Sequence, residues 1–360
     1  MLKGHGGNIF DLAQRLGCDP FDIVDMSSNV NPLGPLPGLV GFLKEKLTAI
    51  TALPEVDARN TAQVFAARYR LESAQVLAGN GTTQFIYTIP PALDTRRALI
   101  LGPTYADYAD SCGMHNVRYD YLMTPESLDF EPDIETIIQR TGGYDTVFIC
   151  NPNNPTGTLI PKTALERLCR YHPDTYFVID ESYLPFVNGA DRFSMLHGGF
   201  PNVLILNSMS KIFRIPGLRI GFLISSGRII EKFRAFLLPW SVNSLAQTAV
   251  DYLMKHTAEV DAFIDKTVAF LETERKLMTD AFEDVSGIKL FSSKTSFILA
   301  KLQGKITADM VCNHLAADGI LIRNCSNFKG LSEHFIRISL KTDDINKMLA
   351  EKITKFLGSV

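Results

Sequence analysis

Val203-Leu204-Ile205-Leu206-Asn207-Ser208-Met209-Ser210-Lys211-Ile212-Phe213-Arg214-Ile215-Pro216-Gly217-Leu218-Arg219-Ile220-Gly221 is an apolar run that closes in a small polar turn. A lysine follows the turn at once, and an arginine comes eight residues later. The run reads as a strand over 203–207, apolar throughout, as a parallel strand buried on both faces should be. Hydroxyls at the turn together with the arginine make a phosphate site. A lysine beside that site can form an imine with an aldehyde tethered by the phosphate. Taken alone the pattern is moderately specific, because a surface lysine and a structural arginine would share the spacing.

Working outward, similar apolar runs recur and predict strands at 75–78, 97–101, 117–122, 146–150, 176–180 and 219–224. Helical patterns lie between many of them. Over 162–171, after Pro161, the residues Leu165, Leu168 and Cys169 fall at helical spacing. Such alternation implies an α/β layered domain around a mainly parallel sheet. From about Asn243 the pattern changes to a long charged helix over 245–282. Strands at 295–302, 320–323 and 335–340 follow, then a closing helix from Thr342. The expected organisation is an arm over 1–28, a large domain over 29–242 and a smaller α+β domain over 243–360.

Four other strings stand at the ends of apolar runs. In Val178-Ile179-Asp180-Glu181-Ser182-Tyr183 a carboxylate ends a strand. Pyridoxal phosphate needs a buried acid against its pyridine nitrogen, to keep the ring an electron acceptor. A lone strand-end Asp is by default a helix N-cap. Cys150-Asn151-Pro152-Asn153-Asn154-Pro155-Thr156-Gly157 carries two Asn-Pro steps, which predict a rigid extended turn able to aim the Asn154 amide. Gly79-Asn80-Gly81-Thr82-Thr83-Gln84 offers backbone N–H groups at a helix start and two hydroxyls for a phosphate; an ordinary turn is its equal alternative. Tyr105, in Pro103-Thr104-Tyr105-Ala106-Asp107-Tyr108, can stack on a ring, although an isolated tyrosine is more often core. Ligands of open α/β sheets bind beyond the carboxyl ends of the strands, so five such loops together point to one pyridoxal-phosphate site.

Composition bounds the remaining possibilities. The 360 residues are 46% hydrophobic and 21% charged, a globular composition that needs no disulfide or metal. A net charge of −3 gives no footprint for nucleic acid. No run of about 18 apolar residues predicts a membrane span, and the start lacks a signal-peptide core. The six scattered cysteines read as reduced thiols of a cytoplasmic protein.

With these motifs in hand, the chain resembles fold-type-I pyridoxal-phosphate enzymes of the histidinol-phosphate-aminotransferase-like branch, nearly end to end. The resemblance implies that Lys211 is the Schiff-base lysine and that Asp180 faces the pyridine nitrogen. It implies Asn154 and Tyr183 at the ring oxygen and Tyr105 stacked on the ring. Gly81, Thr82, Thr83, Ser208, Ser210 and Arg219 would surround the cofactor phosphate. Within the branch, three strings look like the threonine-phosphate decarboxylase family of cobalamin biosynthesis. They are His5-Gly6-Gly7-Asn8-Ile9, Pro239-Trp240-Ser241-Val242-Asn243, and Gly319-Ile320-Leu321-Ile322-Arg323-Asn324-Cys325-Ser326-Asn327-Phe328. The segment Asp25-Met26-Ser27-Ser28-Asn29-Val30-Asn31-Pro32-Leu33-Gly34 looks like that family too. By this resemblance Arg337 anchors a substrate anion, and Arg323 and His5 hold the substrate phosphate with Asn29 and Asn154 nearby.

The chain departs from the family at Leu53, where a tyrosine usually reaches the neighbouring subunit's cofactor phosphate, at Ser296, where asparagine is common, and at Lys341, where arginine is common. The expected activity is decarboxylation of L-threonine O-3-phosphate to (R)-1-aminopropan-2-yl phosphate. The alternatives are a decarboxylase preferring L-serine O-phosphate and a histidinol-phosphate-type aminotransferase. A pyridoxal-phosphate-binding regulator would need a DNA-binding module, and none is expected before His5 or after Val360. The expected partners are a phosphorylated amino acid and a second copy of the chain, with no nucleic acid, membrane or metal.

Overall fold

The computed structural model describes residues 6–359. Its strands in chain order are β1 (Val24–Met26), β2 (Val76–Gly79), β3 (Arg97–Gly102), β4 (Arg118–Met123), β5 (Thr146–Cys150) and β6 (Tyr176–Asp180). They continue with β7 (Val203–Ser208), β8 (Gly221–Ile224), β9 (Ile288–Leu290), β10 (Phe297–Leu302), β11 (Ile320–Asn324) and β12 (Phe335–Ser339). Seven of them form one sheet in the order β2-β8-β7-β6-β5-β3-β4. Neighbours run parallel except β8, which is antiparallel to both β2 and β7.

The central strands are buried along their length because helices cover both faces. All of Thr146–Cys150 is inaccessible, and so are Phe177, Val178 and Ile179. Sidedness therefore gives no polar alternation there, which is why the runs read as continuous. The helix Lys162–Tyr171 has the expected limits and buries Leu165, Leu168 and Cys169. Strand β8 starts two residues later than the expected 219–224, because Arg219 takes a left-handed conformation (φ 55°). Gly221 lets β8 pass the 81–82 turn, since a Cβ there would lie 2.6 Å from the Thr82 nitrogen.

The second sheet has the order β1-β11-β12-β10-β9. Its last four strands pair antiparallel and β1 joins β11 in parallel, Val24 opposite Ile320. The segment expected as an arm thus supplies the helix Ile9–Leu16 and an edge strand to this sheet. The long helix expected over 245–282 is two helices, Ser244–Lys255 and Thr257–Phe282. They part at His256, whose ring stacks on Tyr252 (centroids 3.9 Å apart) and whose Nδ1 lies 2.9 Å from the Tyr252 carbonyl. The His256 backbone N–H caps the first helix on the same carbonyl (3.0 Å), and its own backbone leaves the helical region (φ −94°, ψ 53°). Among the described residues no helix is long and apolar enough to cross a membrane.

Candidate active site

The strand ends and loops of the large sheet converge on one cavity. It is lined by Gly81, Thr82, Thr83, Tyr105, Asn154 and Asp180, and on its other side by Tyr183, Ser208, Ser210, Lys211 and Arg219. These are all the residues expected to touch the cofactor. Tyr108, Cys150 and Ser182 also line it and were not foreseen. A signal for Tyr108 was present, because it falls one helical turn from Tyr105 in the same string.

One end of the cavity is built for an anion. Gly81, at φ 72°, opens the helix Gly81–Ala92, and free N–H groups of a first turn attract negative charge. A Cβ on Gly81 would come within 2.6 Å of Arg219 Nη2, so the guanidinium lies directly against the turn. Ser208 caps the short helix that carries Lys211. Asn31 secures that helix, its backbone N–H donating to the Lys211 carbonyl (3.0 Å) and its amide to the Ile212 carbonyl (2.8 Å).

Lys211 is only half-buried by surface area because its chain borders the open cavity. Its amine is nevertheless closely surrounded. Burial, then the charges of Arg219 and Arg337, push it down to about 8, against the pull of Asp180. Roughly a tenth of the amine is therefore neutral at pH 7, where an ordinary lysine has almost none. Asp180 is buried, and burial pushes its carboxyl up; hydrogen bonds from Ser182 and Tyr108 oppose the rise. The Tyr108 hydroxyl donates to Oδ2 (2.8 Å) and the Ser182 backbone N–H to Oδ1 (3.0 Å).

Both Asn-Pro bonds of the 151–155 loop are cis. Asn153 ties it to the Tyr105 loop, donating to the Pro103 carbonyl (2.9 Å) and accepting from Thr104 Oγ1 (2.8 Å). Asn154 Oδ1 accepts from Arg337 Nη1, which leaves the Asn154 amide N–H pair to donate. Tyr183 Oη accepts from Asn29 Nδ2 (3.3 Å), and burial pushes the phenol up to about 12. It is a proton donor at neutral pH.

Beyond Asn154 lies a second, cationic zone. Arg337 and Arg323 are opposite each other across β12 and β11. Arg337 is 4% exposed and its Nη2 donates to the Ser27 carbonyl (2.6 Å), while its Nε has no partner. Its acceptors are neutral, and among the described residues no carboxylate bonds to it. Arg323 lies over the Phe328 ring (5.0 Å), donates to Asn327 (2.7 Å), and is pushed down to about 10 by burial, so it stays charged. Ser339, on the same face of β12 as Arg337, donates to Asn29 Oδ1 (2.7 Å). Gly7 donates to Ser27 Oγ (2.7 Å), which sets Gly7 beside this zone. His5 lies outside the described residues.

Of the three departures, Leu53 is 75% exposed. Ser296 is buried with its Oγ unpartnered. Lys341 is buried near Asp25 and pushed down to about 8, by burial first.

A doubly wound sheet with a strand-end lysine, a buried acid and an anion-binding turn on one cavity has the fold of type-I pyridoxal-phosphate enzymes. Residues 22–353 match the family described as aminotransferase class I and II, and the chain belongs to it. The protein is an enzyme of that pyridoxal-phosphate-dependent family, and its cofactor is pyridoxal 5'-phosphate.

The threonine-phosphate decarboxylase of Salmonella typhimurium is 28% identical over 99% of this chain and 98% of its own length. The crystal structure of L-threonine-O-3-phosphate decarboxylase from Porphyromonas gingivalis is 31% identical, with a TM-score of 0.82 over 93% of this chain and all of that one. The histidinol-phosphate aminotransferase from Clostridium acetobutylicum is 26% identical, with a TM-score of 0.86 over 94% of this chain and all of that one. The bifunctional adenosylcobalamin biosynthesis protein CobDQ of Leptospira interrogans is 30% identical over 99% of this chain, which spans 42% of that protein's length.

Proposed function

We propose that the protein decarboxylates L-threonine O-3-phosphate to (R)-1-aminopropan-2-yl phosphate, a step toward the cobalamin nucleotide loop. The observation that carries the reading is the Arg323–Arg337 pair. Two charged guanidiniums face each other across one strand pair, and the buried one has neutral partners and a free Nε–H. A buried charge with no carboxylate bonded to it is costly, and Asp25 acts on Arg337 only through space, so the zone suits anions from outside. Phosphothreonine brings two, a carboxylate and a phosphate. The similarity to two threonine-phosphate decarboxylases supports the same substrate.

Bound pyridoxal phosphate supplies an electron sink for whichever substrate bond stands perpendicular to its ring. The chain's residues choose that bond. Arg337 and Arg323 grip the two anionic ends, so the scissile carboxylate is turned out of the ring plane. Asp180 would hold the ring nitrogen's proton, Tyr105 would back the ring, and Asn154 and Tyr183 would donate to its oxygen. Ser208, Ser210, Thr82, Thr83 and Arg219 hold its phosphate against the Gly81 turn. After carbon dioxide leaves, Lys211 Nζ or a water would deliver a proton to the substrate α-carbon. The residues present fit the group, because the buried acid, the amine lowered to about 8 and the anion turn all line one cavity.

Incubation of holoenzyme with phosphothreonine and no keto acid tests the reading. Carbon dioxide and aminopropanol phosphate in equal amounts are expected. An obligatory requirement for 2-oxoglutarate would instead support the aminotransferase reading, which the likeness to the Clostridium enzyme keeps in view. Phosphoserine differs by one methyl, worth about 1–3 kcal/mol of discrimination, so it should react more slowly by roughly 10- to 200-fold. Exposed Leu53, Val56, Leu238 and Trp240 lie on two segments joined by the Trp240 N–H to Val56 carbonyl bond (2.8 Å), a patch suited to a second copy of the chain. Sedimentation should give a dimer.

A further inference from the structure

Asp180 does not meet the cavity alone. Its Oδ2 accepts the Tyr108 hydroxyl at 2.8 Å and its Oδ1 accepts the Ser182 N–H at 3.0 Å. Lys211 is the cation that faces it. Tyr108 is 0% exposed. Its ring is clamped on one side by Phe148, stacked at 5.3 Å, and on the other by the edge of Tyr105 at 5.8 Å. Cys150 also faces the phenol and interacts with its hydroxyl through sulfur, while its thiol donates to the Pro152 carbonyl (3.3 Å). Burial, then the Asp180 charge, push the Tyr108 hydroxyl well above its ordinary range, so it remains a donor.

A carboxylate buried this deeply stays ionised only while donors replace its lost water. The Ser182 backbone donor comes with the fold, and the Ser182 hydroxyl also acts on the carboxyl, although it makes no hydrogen bond of good geometry. The Tyr108 donor is a side chain at the far end of a clamped ring, so one hydroxyl controls one oxygen of the acid.

We propose that Tyr108 is a positioning residue that, through its bond to Asp180 Oδ2, keeps this carboxylate ionised and aimed at the cofactor's ring nitrogen. It thereby sets how tightly the ring holds its proton. The inference rests on the assignment of Asp180 to that nitrogen. Without the hydroxyl, Asp180 is a weaker counter-ion and the ring a weaker electron acceptor. A hydrogen bond to a charged group is worth about tenfold to a hundredfold in an equilibrium, so the ring-nitrogen pKa should fall by roughly one to two units.

Holoenzyme loaded with cofactor ¹⁵N-labelled at the ring nitrogen reads this directly. Titration of its NMR shift in the wild type, Tyr108→Phe and Asp180→Asn gives three curves. The Phe variant should lose the ring proton one to two units lower in pH, with the Asn variant moving further in the same direction. The absorbance titration of the lysine-linked cofactor should move the opposite way, since a neutral ring disfavours a second positive charge less. Should Tyr108→Phe not fold, 3-fluorotyrosine at position 108 is nearly isosteric and a stronger donor, and it should raise the ring pKa. An Asp180→Asn curve that moves while every Tyr108 curve coincides with wild type would overturn the proposal and spare the Asp180 assignment. An unmoved Asp180→Asn curve would overturn both.

Discussion

Replacing Arg337 separates substrate capture from folding. Arg337→Met keeps the apolar stem but ends short of the guanidinium, which lies 5.2 Å from the Phe297 ring centroid. It removes the charge. The substrate anion then loses two charge-assisted hydrogen bonds at about 1.5–3 kcal/mol each, so kcat/KM should fall by roughly 10² to 10⁴. Arg337→Lys keeps a charge but not the planar fork, and should lose about 10- to 100-fold. Folding responds differently. The Ser27 carbonyl and Asn154 Oδ1 each lose a donor, at about 1–3 kcal/mol apiece. Removal of a buried charge that, among the described residues, no carboxylate bonds offsets several kcal/mol. The net change in stability should stay within about 2 kcal/mol. Carbon dioxide release at varied phosphothreonine gives the first quantity and thermal unfolding of the apoenzyme the second. A Met variant retaining kcat/KM within threefold would refute the anion assignment.

Three further outcomes are expected. Gly81→Ala forces φ 72° on a residue with a Cβ and pushes Arg219 off the helix start, so the cofactor dissociation constant, read by equilibrium dialysis, should rise about tenfold or more. The rate at which apoenzyme captures cofactor should climb with pH through about 8, because the Lys211 amine attacks only when neutral; a midpoint near 10.5 would contradict its placement. Burial pushes Glu181 up to about 7 despite hydrogen bonds from Ser194 Oγ (2.6 Å) and the Met195 N–H (2.7 Å). Between its unfolded value of 4.5 and about 7 the native state holds a proton that the unfolded state has released. Stability therefore falls as pH rises through that window, and Glu181→Gln should flatten the slope seen in denaturant titrations.

The legible parts of this fold were those governed by local pattern. Buried parallel strands such as Thr146–Cys150 announce themselves because both faces are covered, and each is followed by a loop whose residues cannot serve a plain turn alone. The illegible parts depend on distant partners. Val24–Met26 becomes a strand only because Ile320–Ile322 lies beside it, a pairing across nearly the whole chain with no local trace. The helix break at His256 comes without proline or glycine, in a residue whose backbone leaves the helical region while its ring packs on Tyr252. Ser27 and Ser339 looked ordinary until packing set them against Arg337 and Asn29. The left-handed Arg219 was equally hidden, because nothing in an arginine codes for positive φ.

The account stands or falls on which amine holds the cofactor. Holoenzyme reduced with borohydride, digested and mapped by mass spectrometry should carry the pyridoxyl group on Lys211, with Lys211→Ala losing both the adduct and all turnover. A pyridoxyl group recovered on any other lysine, or an unimpaired Lys211→Ala enzyme, would contradict it.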